Sequence, residues 1–293
     1  MPTTRVPSRI MLVDGHSVAF RAFYAIPDTI RDARDRPANA IYGFMNTLYR
    51  SLQDHTPTHA AVTFDVGTPF REEMYAGYKA SRAMGPEDLE PQVEVIRTLL
   101  GALAVPVYEL EGFEADDLLA TLARQARAKR FEVDVLSGDL DVLQLVRPGV
   151  RVITPGKTFS EPIVYDEPRV VERYGVPPSK LRDWKALVGD ASDEIPGVPG
   201  IGKKSATELL QRFESLGEIY SRLDAIESAR LRNALAAGRE SAALSRQLVT
   251  LRDDAPVELD LATAKLGGFD RAAAVRLFQE LGFNGLARRM PQW

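Results

Sequence analysis

Four short apolar runs, each followed within a few residues by carboxylates, constrain this chain more than anything else in its sequence. Arg9-Ile-Met-Leu-Val-Asp14 runs into Gly15, and His59-Ala-Ala-Val-Thr-Phe-Asp65 ends on Asp65. Val105 to Leu110 leads into Glu114-Ala-Asp116-Asp117, and Phe131 to Ser137 leads into Gly138-Asp139-Leu-Asp141. Continuous apolar runs of this length read as strands buried on both faces. Between them apolar residues recur at helical spacing, as in Ile41, Phe44, Met45 and Leu48, or Val93, Ile96, Leu99, Leu100 and Leu103. Strands alternating with helices specify βαβ units and a mainly parallel sheet. In such a sheet the carboxyl ends of the strands share one edge, where sites form. The pattern therefore sets seven carboxylates along one rim: Asp14, Asp65, Glu114, Asp116, Asp117, Asp139 and Asp141.

The densest part of that rim is Glu109 to Asp117, where five of nine residues are acidic at the start of an apolar-periodic helix. Acids near a helix N-terminus gain ~0.3–1 kcal/mol each from the macrodipole. That account suffices for Glu109 and Glu111, which have no assigned partner. It does not suffice for Glu114, Asp116 and Asp117, which share the rim with acids from other strands. On an ideal helix Glu114 and Asp117 share a face, and Asp116 lies ~100° round from Asp117. Spacing leaves open which of the three would bind an ion directly and which through water.

The chain has 293 residues and no cysteine, which removes disulfides, thiolate catalysis and Cys-based zinc sites. His16, His55 and His59 show no ligand or triad spacing and read as structural or surface residues. Hard oxygen ligands alone select magnesium or manganese over zinc. Two such ions ~3.5–4 Å apart can clamp the attacking and leaving oxygens of a phosphodiester. The net charge of −4 excludes a uniformly basic nucleic-acid coat protein. It accommodates a local basic surface beside an acidic pocket. Met1 to Arg9 has no signal-peptide apolar region, and no run approaches the ~18 apolar residues of a membrane span. The expectation is a soluble, intracellular protein that engages no membrane.

From about residue 160 the pattern turns helical. Gly189-Asp190-Ala-Ser-Asp193 continues through Gly197-Val-Pro-Gly200-Ile-Gly202-Lys203-Lys204 into an apolar-periodic helix ending near Phe213. Asp190 and Asp193 are spaced to face one ion, or to serve as cap and turn acids. The glycines let backbone approach a ligand closely, and the helix N-terminus offers free N–H groups to a phosphate. A helix–hairpin–helix of this kind binds the DNA backbone without reading bases; an ordinary Gly-rich turn is the alternative. Residues 66–90 are polar, basic and aromatic with poor core spacing, and read as an exposed, partly helical excursion. Arg71, Tyr75, Tyr78, Lys79 and Arg82 combine cations with stacking faces there, which suits single-stranded nucleic acid as well as a solvated charged helix.

Six motifs occur in order: Asp14-Gly, Phe64-Asp65, Tyr78-Lys79-Ala-Ser-Arg82, Gly112-Phe-Glu-Ala-Asp-Asp117, Gly138-Asp-Leu-Asp141, and Gly189 through Lys203. They resemble the 5′-nuclease (flap endonuclease) family, and most closely the N-terminal 5′→3′ exonuclease domain of bacterial DNA polymerase I. The resemblance covers nearly the whole chain. It implies an α/β fold with a PIN-like, mainly parallel twisted sheet flanked by helices at residues 1–160, and an arch or clamp at about 69–90. A helical region would follow at 161–293, with the helix–hairpin–helix at about 182–213. The resemblance further implies two magnesium ions, with manganese as a substitute, and potassium at the hairpin. Asp14, Asp65, Glu114, Asp116, Asp117 and Asp139 would serve the first magnesium site. Asp141, Asp190 and Asp193 would serve the second, with Asp117 near both. Lys79 and Arg82 would act on the scissile phosphate, and Arg71, Tyr78, Gly200, Gly202, Lys203 and Lys204 would contact DNA.

The activity implied is two-metal-ion hydrolysis by a 5′→3′ exonuclease and structure-specific 5′-flap endonuclease in replication and repair. Its partners would be DNA with 5′ flaps, nicks or RNA primers, and it would act as a monomer in the bacterial cytoplasm, at the nucleoid. No carboxylate of the family's set is missing. No polymerase or proofreading domain follows Trp293, so a stand-alone nuclease and a fragment of a longer polymerase both fit. Two other readings stand beside this one. A non-catalytic junction-binding protein has no use for nine acids, and PIN-type ribonucleases lack the Gly197–Lys204 hairpin.

Overall fold

The structure, a computed structural model, describes residues 8–81, 85–156 and 162–292. The first apolar run forms strand β1 (Arg9–Asp14), followed by helices α1 (Gly15–Ala25) and α2 (Asn39–His55). Next come β2 (His59–Thr63), α3 (Phe70–Met74), α4 (Leu89–Ala102), β3 (Val107–Tyr108) and α5 (Ala115–Ala128). Strands β4 (Glu132–Leu136), β5 (Val150–Thr154) and β6 (Ile163–Tyr165) complete one six-stranded sheet in the order β3-β2-β1-β4-β5-β6. Strands β1 to β5 pair in parallel, and β6 adds an antiparallel edge. The mainly parallel sheet expected from the sequence is present.

Strand β1 is central, with Leu12 opposite Ala61 of β2 on one side and Val135 of β4 on the other. Its lack of polar alternation has a direct cause. Ile10 and Leu12 enter one core with Leu119, Leu122 and Ala123 of α5. Met11 and Val13 enter the opposite core with Phe44 and Leu48 of α2 and Ile96 of α4. Burying one such side chain stabilises by about 1.5–3 kcal/mol. A one-residue slip would exchange the two faces and misplace all four. The register that aligns the strand ends is therefore strongly determined.

The second half contains α6 (Glu167–Tyr174), α7 (Leu181–Val188), α8 (Lys203–Arg212), α9 (Leu216–Ser221), α10 (Ala229–Ala237) and α11 (Arg239–Val249). Leu187, Ala206, Leu210 and Leu235 of these helices join the core that holds Ile10 and Leu12. Helices α12 (Arg271–Glu280) and α13 (Asn284–Arg288) return to the other face, placing Phe278 and Leu286 beside Met11 and Phe44. The helical half thus shares both cores with the sheet. Among the described residues no helix is long and apolar enough to cross a membrane.

The segment after β2 corrects one expectation. Most of it is exposed, as expected, but two of its side chains turn inward as anchors, Arg71 at 1% and Tyr78 at 5% accessible. Lys79 adopts a left-handed conformation (φ 53°) that carries its backbone N–H to the Asp193 carbonyl at 3.1 Å. The Ser81 amide donates to the Glu194 carboxylate at 2.7 Å. Helical periodicity cannot show such burial, because α3 is only five residues long and polar bonds hold the rest.

Candidate active site

Each strand end delivers its acid to the same edge. Asp14 closes β1 and caps α1: its Oδ1 accepts from the Ser17 amide (3.0 Å) and its Oδ2 from the Ser137 hydroxyl (2.7 Å). Asp65 follows β2, and its carboxylate accepts from the Ala115 amide at the start of α5 (2.7 Å). The Asp65 amide in turn donates to His16 Nδ1 (2.9 Å), so His16 is a structural residue that sets this rim loop. Asp116 occupies the first turn of α5. Asp139, just past β4, donates its amide to the Ser137 hydroxyl (2.9 Å) and accepts from the Asp141 amide (2.8 Å). Ser17 and Ser137 were not singled out from sequence; their positions beside a strand-end acid are the only signal they carry.

The electrostatics follow from this shared edge. Burial pushes the Asp116 carboxyl well above the usual range, and the nearby charges of Asp14, Asp139, Asp141 and Asp65 push it further. Burial raises Asp14 to about 7 despite its bonds from Ser137 and Ser17. Burial raises Asp141 to about 6 even with Lys185 beside it. Carboxyls that raise one another in this way lie close together with too little positive charge among them. Among the described residues, no three His, Asp or Glu side chains are already arranged to hold a metal ion. Part of the acid set is instead engaged by protein cations.

Glu114 accepts from Lys79 Nζ (2.5 Å), Arg71 (2.7 Å) and the Tyr78 hydroxyl (3.0 Å). Burial pushes its carboxyl up, but Lys79 and Arg71 outweigh burial and hold it below the usual range. Three expectations are corrected here. Asp117 is fully buried and binds Arg71 through both oxygens at 2.7 and 2.8 Å. The same oxygens accept from the amides of Glu114 (3.2 Å) and Arg252 (2.7 Å), so its lone pairs are taken and it is not placed as a direct ligand. Arg71 is not at a DNA-facing surface. Its remaining donors reach the Leu248 and Thr250 carbonyls (2.8 and 2.9 Å), which satisfies all five N–H groups inside the protein. Tyr78 is not open to stack on a base; its hydroxyl serves Glu114 and its ring lies 4.9 Å from Lys79 Nζ. Arg82 lies outside the described residues.

Lys185 was missed from sequence and is central to the second group of acids. Its ammonium bridges Asp141 and Asp190, the latter at 2.8 Å. Burial lowers its pKa, and the two acids outweigh burial and raise it. Asp190 is pushed up by burial and pulled below its usual value chiefly by Lys185. Asp193 lies 3.8 Å from Lys79 Nζ. The available signal was positional: Lys185 stands among buried Trp184, Ala186 and Leu187 in the helix that ends on the Asp190 loop.

That loop is a closed turn. Asp190 and Ile195 exchange backbone hydrogen bonds at 2.9 and 2.8 Å. Gly197 (φ 62°) packs so tightly that a Cβ there would lie 2.4 Å from the Gly189 amide nitrogen. Helix α8 then starts at Lys203, with Gly202 at its N-cap and no side-chain cap. A Cβ on Gly202 would meet nothing within 4 Å, so the space over the helix N-terminus is open. Lys203 and Lys204 are exposed beside it. A cleft of about 1310 Å³ runs from Asp139, Asp141 and Asp190 to these two lysines.

One cleft therefore joins an acid rim, at the carboxyl edge of a parallel sheet, to a cationic helix N-terminus suited to phosphate. That combination suits cations and phosphate side by side. Residues 9–175 match the family model for the 5′-3′ exonuclease N-terminal resolvase-like domain, and residues 176–272 that for the 5′-3′ exonuclease C-terminal SAM fold. The chain belongs to the 5′-3′ exonuclease family. It is 45% identical over 291 residues to DNA polymerase I of Chloroflexus aurantiacus, covering 96% of this chain and 31% of the relative. It is 40% identical over 283 residues to DNA polymerase I of Bacillus subtilis, covering 96% and 32%. The chain thus spans about a third of the length of the curated relatives it matches. Among solved structures, the flap endonuclease of bacteriophage T5, in a pseudo-enzyme-product complex with DNA and metal ions, aligns with TM-score 0.69 at 22% identity, covering 96% of each chain. Flap endonuclease-1 from Methanococcus jannaschii aligns with TM-score 0.60 at 16% identity, covering 97% of this chain and 90% of that one. Both likenesses are of fold.

Proposed function

We propose that the chain is a magnesium-dependent 5′→3′ exonuclease and structure-specific 5′-flap endonuclease acting on flaps, nicks and RNA-primed ends in replication and repair. The observation that carries this reading is Asp116, a half-buried carboxylate raised by the charges of Asp14, Asp139, Asp141 and Asp65. Among the described residues it has no ion-pair partner, so its charge calls for a cation from solution. The donor set fits a hard divalent ion, because it is all oxygen. Asp14, Asp116 and Asp139, with Asp65 beside them, would hold the first ion. Asp141, Asp190 and Asp193 would hold the second once Lys185 moves aside. Bound ions supply positive charge that neutralises the rim and polarises the phosphoryl group.

The chain's own groups supply position. Ser17 and Ser137 fix the Asp14 carboxylate. Lys79, held between Glu114 and Asp193, would offset negative charge developing on a phosphodiester at the rim. Arg82 belongs to the same reading. Gly200, Gly202, Lys203 and Lys204 would hold the duplex backbone at the far end of the cleft. Cleavage of a labelled 5′-flap DNA in magnesium tests the proposal. Product is expected from the wild-type chain and not from Asp116→Ala or Asp139→Ala, and EDTA should abolish cleavage while leaving junction binding. A pure wild-type chain that binds the junction without cutting it would overturn the reading. Preferential cleavage of single-stranded RNA would replace it with a ribonuclease.

A further inference from the structure

The C-terminal end of α6 is fixed against α8. The Thr207 hydroxyl donates to the Tyr174 carbonyl (3.0 Å) and accepts from the Trp184 indole (2.9 Å). Gln211 donates to the Gly175 carbonyl (2.8 Å). Gly175 takes a left-handed conformation (φ 72°), and a Cβ there would lie 2.7 Å from Thr207 Cγ2. These contacts set α6 against the turn of α8 that follows Lys203 and Lys204.

Arg173 stands at that end of α6. Its guanidinium lies 5.6 Å from the Tyr174 ring and 6.0 Å from the Tyr165 ring, and it donates to the Tyr165 hydroxyl at 3.3 Å. Arg173 is exposed and lines the same cleft as Lys203 and Lys204. Elsewhere in the helical half, Arg246 and Arg252 are neutralised by Asp183 and Asp254 at 2.6 and 2.7 Å. Arg173 has no carboxylate partner among the described residues. A guanidinium oriented by two rings yet left unneutralised keeps its charge and its remaining fork donors for an anion from outside.

We propose that Arg173 is a further backbone-phosphate contact of the bound duplex, extending the hairpin footprint from α8 across the cleft to α6. The proposal rests on the cleft being a nucleic-acid site. Each phosphate contact contributes about 0.9 to the slope of log affinity against log salt. The test is equilibrium binding of the full chain to labelled flap DNA in EDTA over a salt series, with thermal unfolding of each variant alongside.

Arg173→Ala is expected to weaken binding and reduce the slope by about 1, and Arg173→Lys to keep the slope. Lys203→Ala is the companion variant and should also reduce it. An unchanged slope for Arg173→Ala, with a reduced slope for Lys203→Ala, overturns this inference alone. Unchanged slopes for both overturn the cleft reading as well. A lower melting temperature with an unchanged slope makes Arg173 a packing residue for Tyr165 and Tyr174, which also overturns the proposal. Should the alanine variant fail to fold, Arg173→Gln removes the charge while retaining a side-chain amide donor, and the same slope criterion applies.

Discussion

Arg71 shows how much of this site is structural support. Its five donors tie α3 to Glu114 and Asp117 at the start of α5 and to carbonyls at the end of α11. Removing one partner of a fully buried pair strands the other, typically at about 3–5 kcal/mol. Arg71→Ala should therefore lower the urea midpoint by a corresponding amount, and Arg71→Lys by less, since it keeps the charge but loses the planar fork. A midpoint unchanged in Arg71→Ala would mean Asp117 is not anchored as described. Lys185 is a different case, half-buried between Asp141 and Asp190. Lys185→Met should destabilise by about 1–3 kcal/mol in EDTA, between surface and buried pairs. Magnesium should recover much of that loss, because it supplies charge where the ammonium stood. Equal losses with and without magnesium would count against a second ion at Asp141 and Asp190.

At the scale of elements, the Gly189–Gly202 segment separates folding from binding. Gly197 needs its left-handed conformation and has backbone where a Cβ would go. Gly197→Ala should cost well over 1 kcal/mol in unfolding experiments, since both strain and contact oppose it. Gly202 has neither constraint, as its φ is −95° and its surroundings are open. On the proposed duplex contact, Gly202→Ala should fold normally yet bind flap DNA more weakly, because its methyl would stand where a phosphate would approach the α8 amides. Equal folding losses for both variants would refute this division. The same contrast explains what the sequence made legible. The glycine order and the long apolar periods exposed the hairpin, the helices and the parallel strands. The inward fold of Arg71 and Tyr78 stayed hidden, because hydrogen bonds to distant carboxylates bury them and no apolar period marks the segment. Lys185 stayed hidden because its partners come from a strand end and a loop that only the tertiary fold brings together.

For the whole molecule, two cores on either side of one sheet hold the strand ends level, and the rim acids pay for that alignment in repulsion. Their convergence was readable because a parallel sheet has one carboxyl edge. The division of the nine acids between cation-held and uncompensated groups was not, since it depends on Arg71, Lys79 and Lys185 arriving from elsewhere. That division sets the pH dependence of stability. Asp14 is raised from an ordinary 3.8 to about 7, Asp141 to about 6, and Asp116 upward as well. A raised carboxyl holds a proton in the fold that the unfolded chain releases. Its stabilisation is complete below the unfolded value and is lost as pH rises through the folded one. Glu114 and Asp190 are lowered, so their stabilisation is lost only on acidification below the usual carboxylate range. His55 and His59 are lowered by burial and oppose the trend, gaining stability as pH rises through their ordinary 6.5. They lie away from the rim, so magnesium should leave their contribution alone. The difference between melting curves with and without magnesium therefore isolates the rim. In EDTA the raised acids should lower the melting temperature between about pH 5 and about pH 8, whereas millimolar magnesium, which binds their ionised form, should offset the loss. The stabilisation by magnesium is thus expected to grow with pH across that window in the wild-type chain and to shrink in Asp116→Asn. A magnesium effect that is absent, or independent of pH, would show that these carboxyls do not act together on an ion.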